Sequence, residues 1–441
     1  MYFVKKIDES FSQALKDIVS NRKQYVRNPL TDFTRKRKMN MRDVISQIHS
    51  MTGGSLQKEL YDWSKIKKIS LTASAFVQQR SKILSDAFKD IFYHFNSYCN
   101  DSKKYRGYRL IGVDGTDVSC PRNPDSPNFI TTSQSPEGVN RIHVNALYDL
   151  CNHTYVDILC QPPKQADERA ALIEMLHRKA LKEKTLFVFD RGYESYNLFA
   201  HIINTENADF VCRVRQSNSG MSKIKTLPMK EFDIDITFDI TTTQTNEDKL
   251  QGRIWIQTGS KKGKINSPKT RVRQWDFPSP YSLKLRVVRF LLDSGEYETL
   301  ITSLSREEFS LQDLKKLYHE RWNIEISFRD LKYPIGLTYL HSKKDDLILQ
   351  EIYAAVTMYN YCSRIASSVD ISRYNGRKHA YKVNLAMAIH ICKRFCLSNT
   401  KKYKSLLNDI NRYVIPLRPG RRDERKMRPK RFVGFIYRVA A

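Results

Sequence analysis

The sequence predicts an α/β fold: a mixed sheet interrupted by a β-rich insertion, with helical regions at both ends. Three observations carry that expectation. Between about 105 and 216, strand-like runs give way to an alternation of helix and strand. From about 217 to 290, apolar and polar residues alternate with a period of two. Towards both termini, apolar residues recur instead at helical spacing. The expected division is 1–104, a basic helical DNA-binding region; 105–216, the first part of the core; 217–296, the insertion; 297–345, the rest of the core; and 346–441, a second basic helical region.

Charge is the outlier of the composition. Lys and Arg number 75 against 47 Asp and Glu, a net charge of +28 over 441 residues. Self-repulsion of that size points to a polyanionic partner. Membrane spanning is excluded as a reading, because no apolar run approaches the ~20 residues needed. The start, MYFVKKIDESF, has no secretory h-region. The eight cysteines show neither CxxC nor zinc spacing, so they are expected to be reduced thiols of a cytoplasmic protein. No GxxxxGK[ST] occurs, and no nucleotide cofactor is expected.

The elements follow in order. The segment 22–42 is dense in Lys and Arg, and LTASAFVQQRSKILSDAFKDIFYHF predicts one helix capped by Thr72 or Ser74. Arg80 and Lys82 on it are candidates for phosphate contact. YRLIGVDGTDVSC, HVNALYDLC and TYVDILCQP are three strands, the last two joined by a hairpin at Asn152-His153. A helix over Ala166–Leu181, the apolar strand LFVFDRG, a helix in SYNLFAHIINT and the strand DFVCRVR come next. The insertion holds FDIDITFDITTT and LKLRVVRFLL, and YETLITSL returns the chain to the sheet. Ser310 then caps a helix running through YHERWNIEISFRDLK, which Pro334 and Gly336 stop. Beyond it lie further helices and, from about Arg418, a tail of almost pure positive charge.

Three carboxylates suggest chemistry. Asp114 ends the apolar run of one strand (LIGVDGT), where Gly115 allows close approach to the backbone. Asp190 ends another (LFVFDRG). Strand-end carboxylates of one sheet converge at one edge, and Glu325 on a helix packed there could join them. Three bare carboxylates repel one another, and a divalent cation relieves that repulsion; oxygen donors favour Mg²⁺ or Mn²⁺. Two such ions suit in-line displacement at phosphorus. Asp117 is the second choice for the position of Asp114. Singly, each residue also has an ordinary explanation: a turn cap for Asp114, an ion pair with Arg191 for Asp190, and one with Arg321 or Arg329 for Glu325.

The helix carries a further pattern. Tyr318, Arg321, Glu325 and Lys332 are spaced by 3, 4 and 7 positions. At ~100° per residue they fall within a sector of roughly 60°. By itself such a stripe is usually an exposed face with i,i+4 ion pairs.

Together with VDGT and FDRG, the pattern Y-x2-R-x3-E-x6-K resembles the YREK-signature group of DDE transposases from bacterial insertion sequences. The resemblance covers about 105 to 345. It implies an RNase H-like core in which Asp114, Asp190 and Glu325 hold two Mg²⁺ ions, with Mn²⁺ able to substitute. It also implies cleavage of element-end DNA and strand transfer to a target, with Tyr318, Arg321 and Lys332 on DNA phosphates; Arg191, next to Asp190, is a further DNA-binding candidate. A homodimer on DNA and a bacterial, nucleoid-associated location follow from the same resemblance. The sequence departs from the group at ETLITS, where no Trp precedes the returning strand; Tyr297, Trp255 and Trp275 are the aromatic alternatives. Two other classes share these residues: a non-catalytic DNA-binding regulator derived from a transposase, and a stand-alone nuclease of the same fold.

Overall fold

The computed structural model describes residues 1–133, 135–215, 221–258, 274–398, 400–418 and 435. Helices come first: α1 (Tyr2–Ser20), α2 (Met41–Ser50), α3 (Leu56–Lys67), α4 (Ala73–Arg80) and α5 (Ser85–Tyr98). Thr72 caps α4, its side chain accepting from the Ala75 amide. The one helix expected here is broken into α4 and α5. Between them the chain pairs with an earlier segment instead: Arg27 N donates to Lys82 O and Leu84 N to Tyr25 O.

The core follows as β1 (Arg109–Cys120), β2 (Phe129–Thr132), β3 (Ser135–Asp149), β4 (Thr154–Gln161), α6 (Glu168–His177), β5 (Thr185–Phe189), α7 (Tyr196–Ile203) and β6 (Ala208–Arg213). The β3–β4 loop runs from Leu150 to His153, longer than the Asn152-His153 link expected, and His153 takes a left-handed φ of 56°. Next come α8 (Ser222–Lys225), β7 (Phe232–Thr241), α9 (Asn246–Leu250), β8 (Ile254–Trp255), β9 (Tyr281–Leu291) and β10 (Tyr297–Thr302). The chain ends with α10 (Leu311–Glu320), α11 (Trp322–Lys332), α12 (Asp345–Ser367), β11 (Tyr381–Val383), α13 (Leu385–Leu397), α14 (Tyr403–Asn411) and β12 (Val414–Pro416).

One mixed sheet dominates, in the order β2-β3-β1-β5-β6-β10-β9-β7-β8, with β4 also on β3. β5 lies parallel to both β1 and β6, whereas β3 is antiparallel to β1. This arrangement, with helices at both termini, is consistent with an RNase H-like core. The period-two segment does not form a separate module. β10 pairs antiparallel with β6, β9 with β10 and β7 with β9, so its strands extend the core sheet. The SKKGK loop and nearly all of the basic tail lie outside the described residues.

Alternation along β1 sorts its side chains between two cores. Leu110 joins the apolar cluster shared by α1, α5, α11 and α12. Ile111 and Val113 join the cluster that includes Leu172 of α6 and Leu198 of α7. Helix α12 is buried along nearly its whole length and on every side, as expected of a helix at the centre of a large core. Asp114 therefore points to the α11 side, and Gly115 and Asp117 to the α6 side.

Candidate active site

Asp114 is not at the end of its strand. β1 continues to Cys120, but its parallel partner stops short: Gly112, paired with Val188, is the last β1 residue in register with β5. Beyond that point the sheet opens, and Asp114 stands at the opening. Asp190 follows β5 directly and caps the short turn Arg191–Tyr193, its Oδ1 accepting from Gly192 N at 2.7 Å. The two aspartates thus emerge where the β1–β5 pairing ends.

The expected single helix over 318–332 is locally tightened at Arg321, where Arg321 N donates to Tyr318 O and Ile324 N to Arg321 O. α10 ends and α11 begins there, although Arg321 keeps helical angles, φ −51° and ψ −35°. Ser310 caps α10 with a reciprocal Ser310–Asp313 pair. The polar stripe does not face solvent. Tyr318 and Arg321 are buried, and Glu325 and Lys332 are partly buried.

Arg321 is the hub. Its Nη2 lies 2.9 Å from Glu325 Oε1 and its Nη1 3.9 Å from Asp114 Oδ2. The guanidinium also rests over the rings of Trp322 and Tyr318. Its Nε, like the Tyr318 hydroxyl, is buried without a hydrogen-bond partner. Lys332 Nζ donates to Thr116 Oγ1 at 2.6 Å, and burial lowers its pKa. Asp114 Oδ1 accepts from Gly115 N at 2.8 Å. Burial pushes the Asp114 carboxyl up to about 7; the Gly115 amide and Arg321 offset this in part, while Asp190 and Glu168 add to it.

Asp117, the second choice for the position of Asp114, is committed elsewhere. Its Oδ1 pairs with His143 Nδ1 at 2.9 Å, which holds its carboxyl below the usual range. His143 in turn has Nε2 3.2 Å from Glu168 Oε1, and the two carboxylates raise its pKa to about 9. Neither His143 nor Glu168 was singled out by sequence reasoning. The available signal was Asp167-Glu168 at the start of the helix before the second aspartate's strand; Asp167 does cap that helix.

Arg191 is exposed beside Asp190. Arg80 overturns its expectation. It is 2 % exposed and locked to α12, donating to Gln350 Oε1 at 3.0 Å and pairing with Glu351 at 2.9 Å. It buttresses the helical region and is unavailable to phosphate. Of the aromatic alternatives, Trp255 lies in β8 and Tyr297 begins β10, whereas Trp275 donates to Pro278 O.

As placed, no three His, Cys, Asp or Glu side chains among the described residues are grouped so that they could hold one ion. By donor chemistry the site still fits a hard divalent cation. Its carboxylates offer only oxygen, the negative charge of the partly buried Asp114 is only partly compensated by its neighbours, and a guanidinium already stands between Asp114 and Glu325.

Comparison with known proteins agrees with this reading at the level of family. Residues 105–361 match the transposase DDE domain. No curated protein matches the chain. Among solved structures, similarity is found to a cryo-EM structure of a piggyBac transposase synaptic complex with hairpin DNA, at 10 % identity over 96 % of this chain and 85 % of that chain. The TM-score is 0.44, too low for anything to be transferred from it. No helix among the described residues is long and apolar enough to cross a membrane. With the DDE domain spanning more than half of its length, the chain belongs to the DDE transposase family.

Proposed function

We propose that this protein cuts DNA at the ends of an insertion sequence and joins those ends to target DNA, as a member of the YREK-signature group. Asp114, Asp190 and Glu325 would hold the metal ions, two Mg²⁺ or Mn²⁺. The observation that carries the reading is the meeting of Asp114, from β1, with Glu325, from α11, across the single guanidinium of Arg321. Residues more than two hundred positions apart in sequence converge on the point where β5 ends.

Bound divalent ions would supply Lewis acidity, activating the attacking oxygen and offsetting charge on the leaving oxygen. The chain's own residues do the rest. Arg321 would exchange its hold on Glu325 for a phosphate oxygen, freeing the carboxylate; its planar fork suits that geometry. Lys332, tethered by Thr116, adds a point charge on the same side, and the Tyr318 hydroxyl offers a donor. Arg191 extends the cationic surface beside Asp190. Synapsis of two DNA ends calls for two copies of the chain, so a homodimer forms on DNA in this reading.

The test is cleavage of element-end DNA with Mg²⁺ or Mn²⁺ by Asp114→Asn, Asp190→Asn and Glu325→Gln, alongside DNA-binding measurements. Each variant is expected to bind and not to cut; normal nicking by any one of them removes that residue from the centre. Products joined to a supercoiled target separate a transposase from a nuclease. Failure of the wild-type protein to nick any end sequence favours a regulator. Affinity should fall steeply as salt rises, because many phosphate contacts release counterions.

A further inference from the structure

We propose that Glu168 is a fourth carboxylate of the metal centre, reaching it from α6, on the opposite side of the sheet from Glu325. The inference rests on the metal-centre reading above. It starts from two glycines. A Cβ on Gly115 would lie 2.5 Å from His143 Nε2 and 2.6 Å from Glu168 Oε1. A Cβ on Gly192 would lie 2.8 Å from Asp190 Oδ1 and 3.7 Å from Glu168 Oε2. One carboxylate therefore lies close to both the residue after Asp114 and the turn after Asp190. Both positions lack a side chain where Glu168 comes in.

The approach is built rather than incidental. Asp167 caps α6 by accepting from the amides of Arg169 and Ala170, which fixes the helix's first turn. Arg169 Nε donates to Gly192 O at 2.9 Å, tying that turn to the one Asp190 caps. Glu168 sits between these two anchors.

An independent observation points to a missing partner in the same gap. The Tyr193 ring is fully buried and its hydroxyl has no hydrogen-bond partner. The charges acting on that hydroxyl are Glu168, Asp114 and Asp190, with Arg321 opposing them. An oxygen in the first shell of an ion held among these carboxylates would accept from it.

His143 is the alternative partner. Its Nε2 is 3.2 Å from Glu168 Oε1 but poorly aligned for a hydrogen bond, while Nδ1 is engaged by Asp117 and Arg141 stands 3.8 Å from Asp117. If Glu168 serves only that ion pair, it has no bearing on metal.

Mn²⁺ titration of the full-length protein without DNA, followed by calorimetry or by paramagnetic resonance, separates the two roles. Glu168→Gln is expected to weaken Mn²⁺ binding about tenfold or more, and Glu168→Asp to weaken it less. His143→Gln should leave the affinity unchanged or improve it, since it removes a competing positive charge. Unchanged Mn²⁺ affinity in both Glu168 variants, with Asp114→Asn still weakened, overturns this proposal alone. Unchanged affinity in Asp114→Asn overturns the metal-centre reading beneath it. Should Glu168→Gln fail to fold, Glu168→Asp decides by the same measurement.

Discussion

Two carboxylates in this protein, one buried and one partly buried, face arginines and end in opposite states. Glu351, on α12, is enclosed with Arg80 and His341. Its oxygens accept from the His341 amide at 3.0 and 2.9 Å, and Arg80 Nη2 lies 2.9 Å away. Burial alone would raise its pKa, but Arg80 and His341 overcome that and hold it at about 2. Asp114 receives one backbone amide, and its arginine stands 3.9 Å off. Burial wins there and lifts the carboxyl to about 7. The arginines mirror this difference. Arg80 spreads its donors over Gln350, Leu347 O and Glu351, whereas Arg321 leaves Nε without a partner. A buried ionic group that is fully paired is part of the scaffold; one left short of partners is held ready for a ligand.

Breaking the comparison at Asp114 should give the largest effect. Asp114→Asn is expected to lower end cleavage about a thousandfold or more, the loss of several kcal/mol of charge stabilisation from a metal centre. Its folding stability should hold or rise, because a neutral amide replaces a partly buried, poorly compensated charge. A melting temperature that falls along with activity would assign Asp114 to the scaffold. The opposite pattern is expected at Glu351. Glu351→Ala strands the buried Arg80 charge and should cost about 3–5 kcal/mol of stability, read by denaturant unfolding, while the folded fraction retains normal cleavage per molecule.

That contrast also marks what could be read from the chain. Although Asp114 lies within β1 and not at its end, Asp114, Asp190 and Glu325 were legible as candidates, because apolar runs, turns and helix stripes are local patterns. Arg80 was not. On its own helix it is one more cation in a basic segment, and only α12, some 270 positions later, encloses it. Glu168 escaped for a related reason: a glutamate in a helix's first turn is ordinary, and its closeness to one glycine on β1 and another in the turn after β5 arises only in the folded sheet. The fold class was legible from periodicity. That the insertion's strands would extend the core sheet was not, because alternation specifies a strand's faces and says nothing of its neighbours.

The scaffold side can be sharpened by acid. Glu351 has a folded pKa of about 2 against an ordinary value of 4.5, so the unfolded chain takes up its proton first. The stabilisation is complete above about 4.5 and is lost as pH falls towards 2. Denaturant unfolding of the wild type against Glu351→Gln should show a gap of a few kcal/mol at neutral pH that narrows below pH 4. A gap independent of pH would mean that packing, not charge, stabilises the site.

The smallest effect is expected at Lys332, where the comparison becomes one of cations. Arg80 is neutralised by Glu351, whereas the Lys332 amine meets a hydroxyl and forms no ion pair with a carboxylate among the described residues. Burial disfavours its charge, and a phosphate would restore it. Lys332→Met should therefore weaken binding to all DNA sequences to a similar extent and reduce the slope of log affinity against log salt by about one. Arg80→Met should leave that slope unchanged in whatever fraction folds. If both variants shift the slope equally, net charge alone governs binding, and the placement of Lys332 beside Thr116 contributes nothing to it.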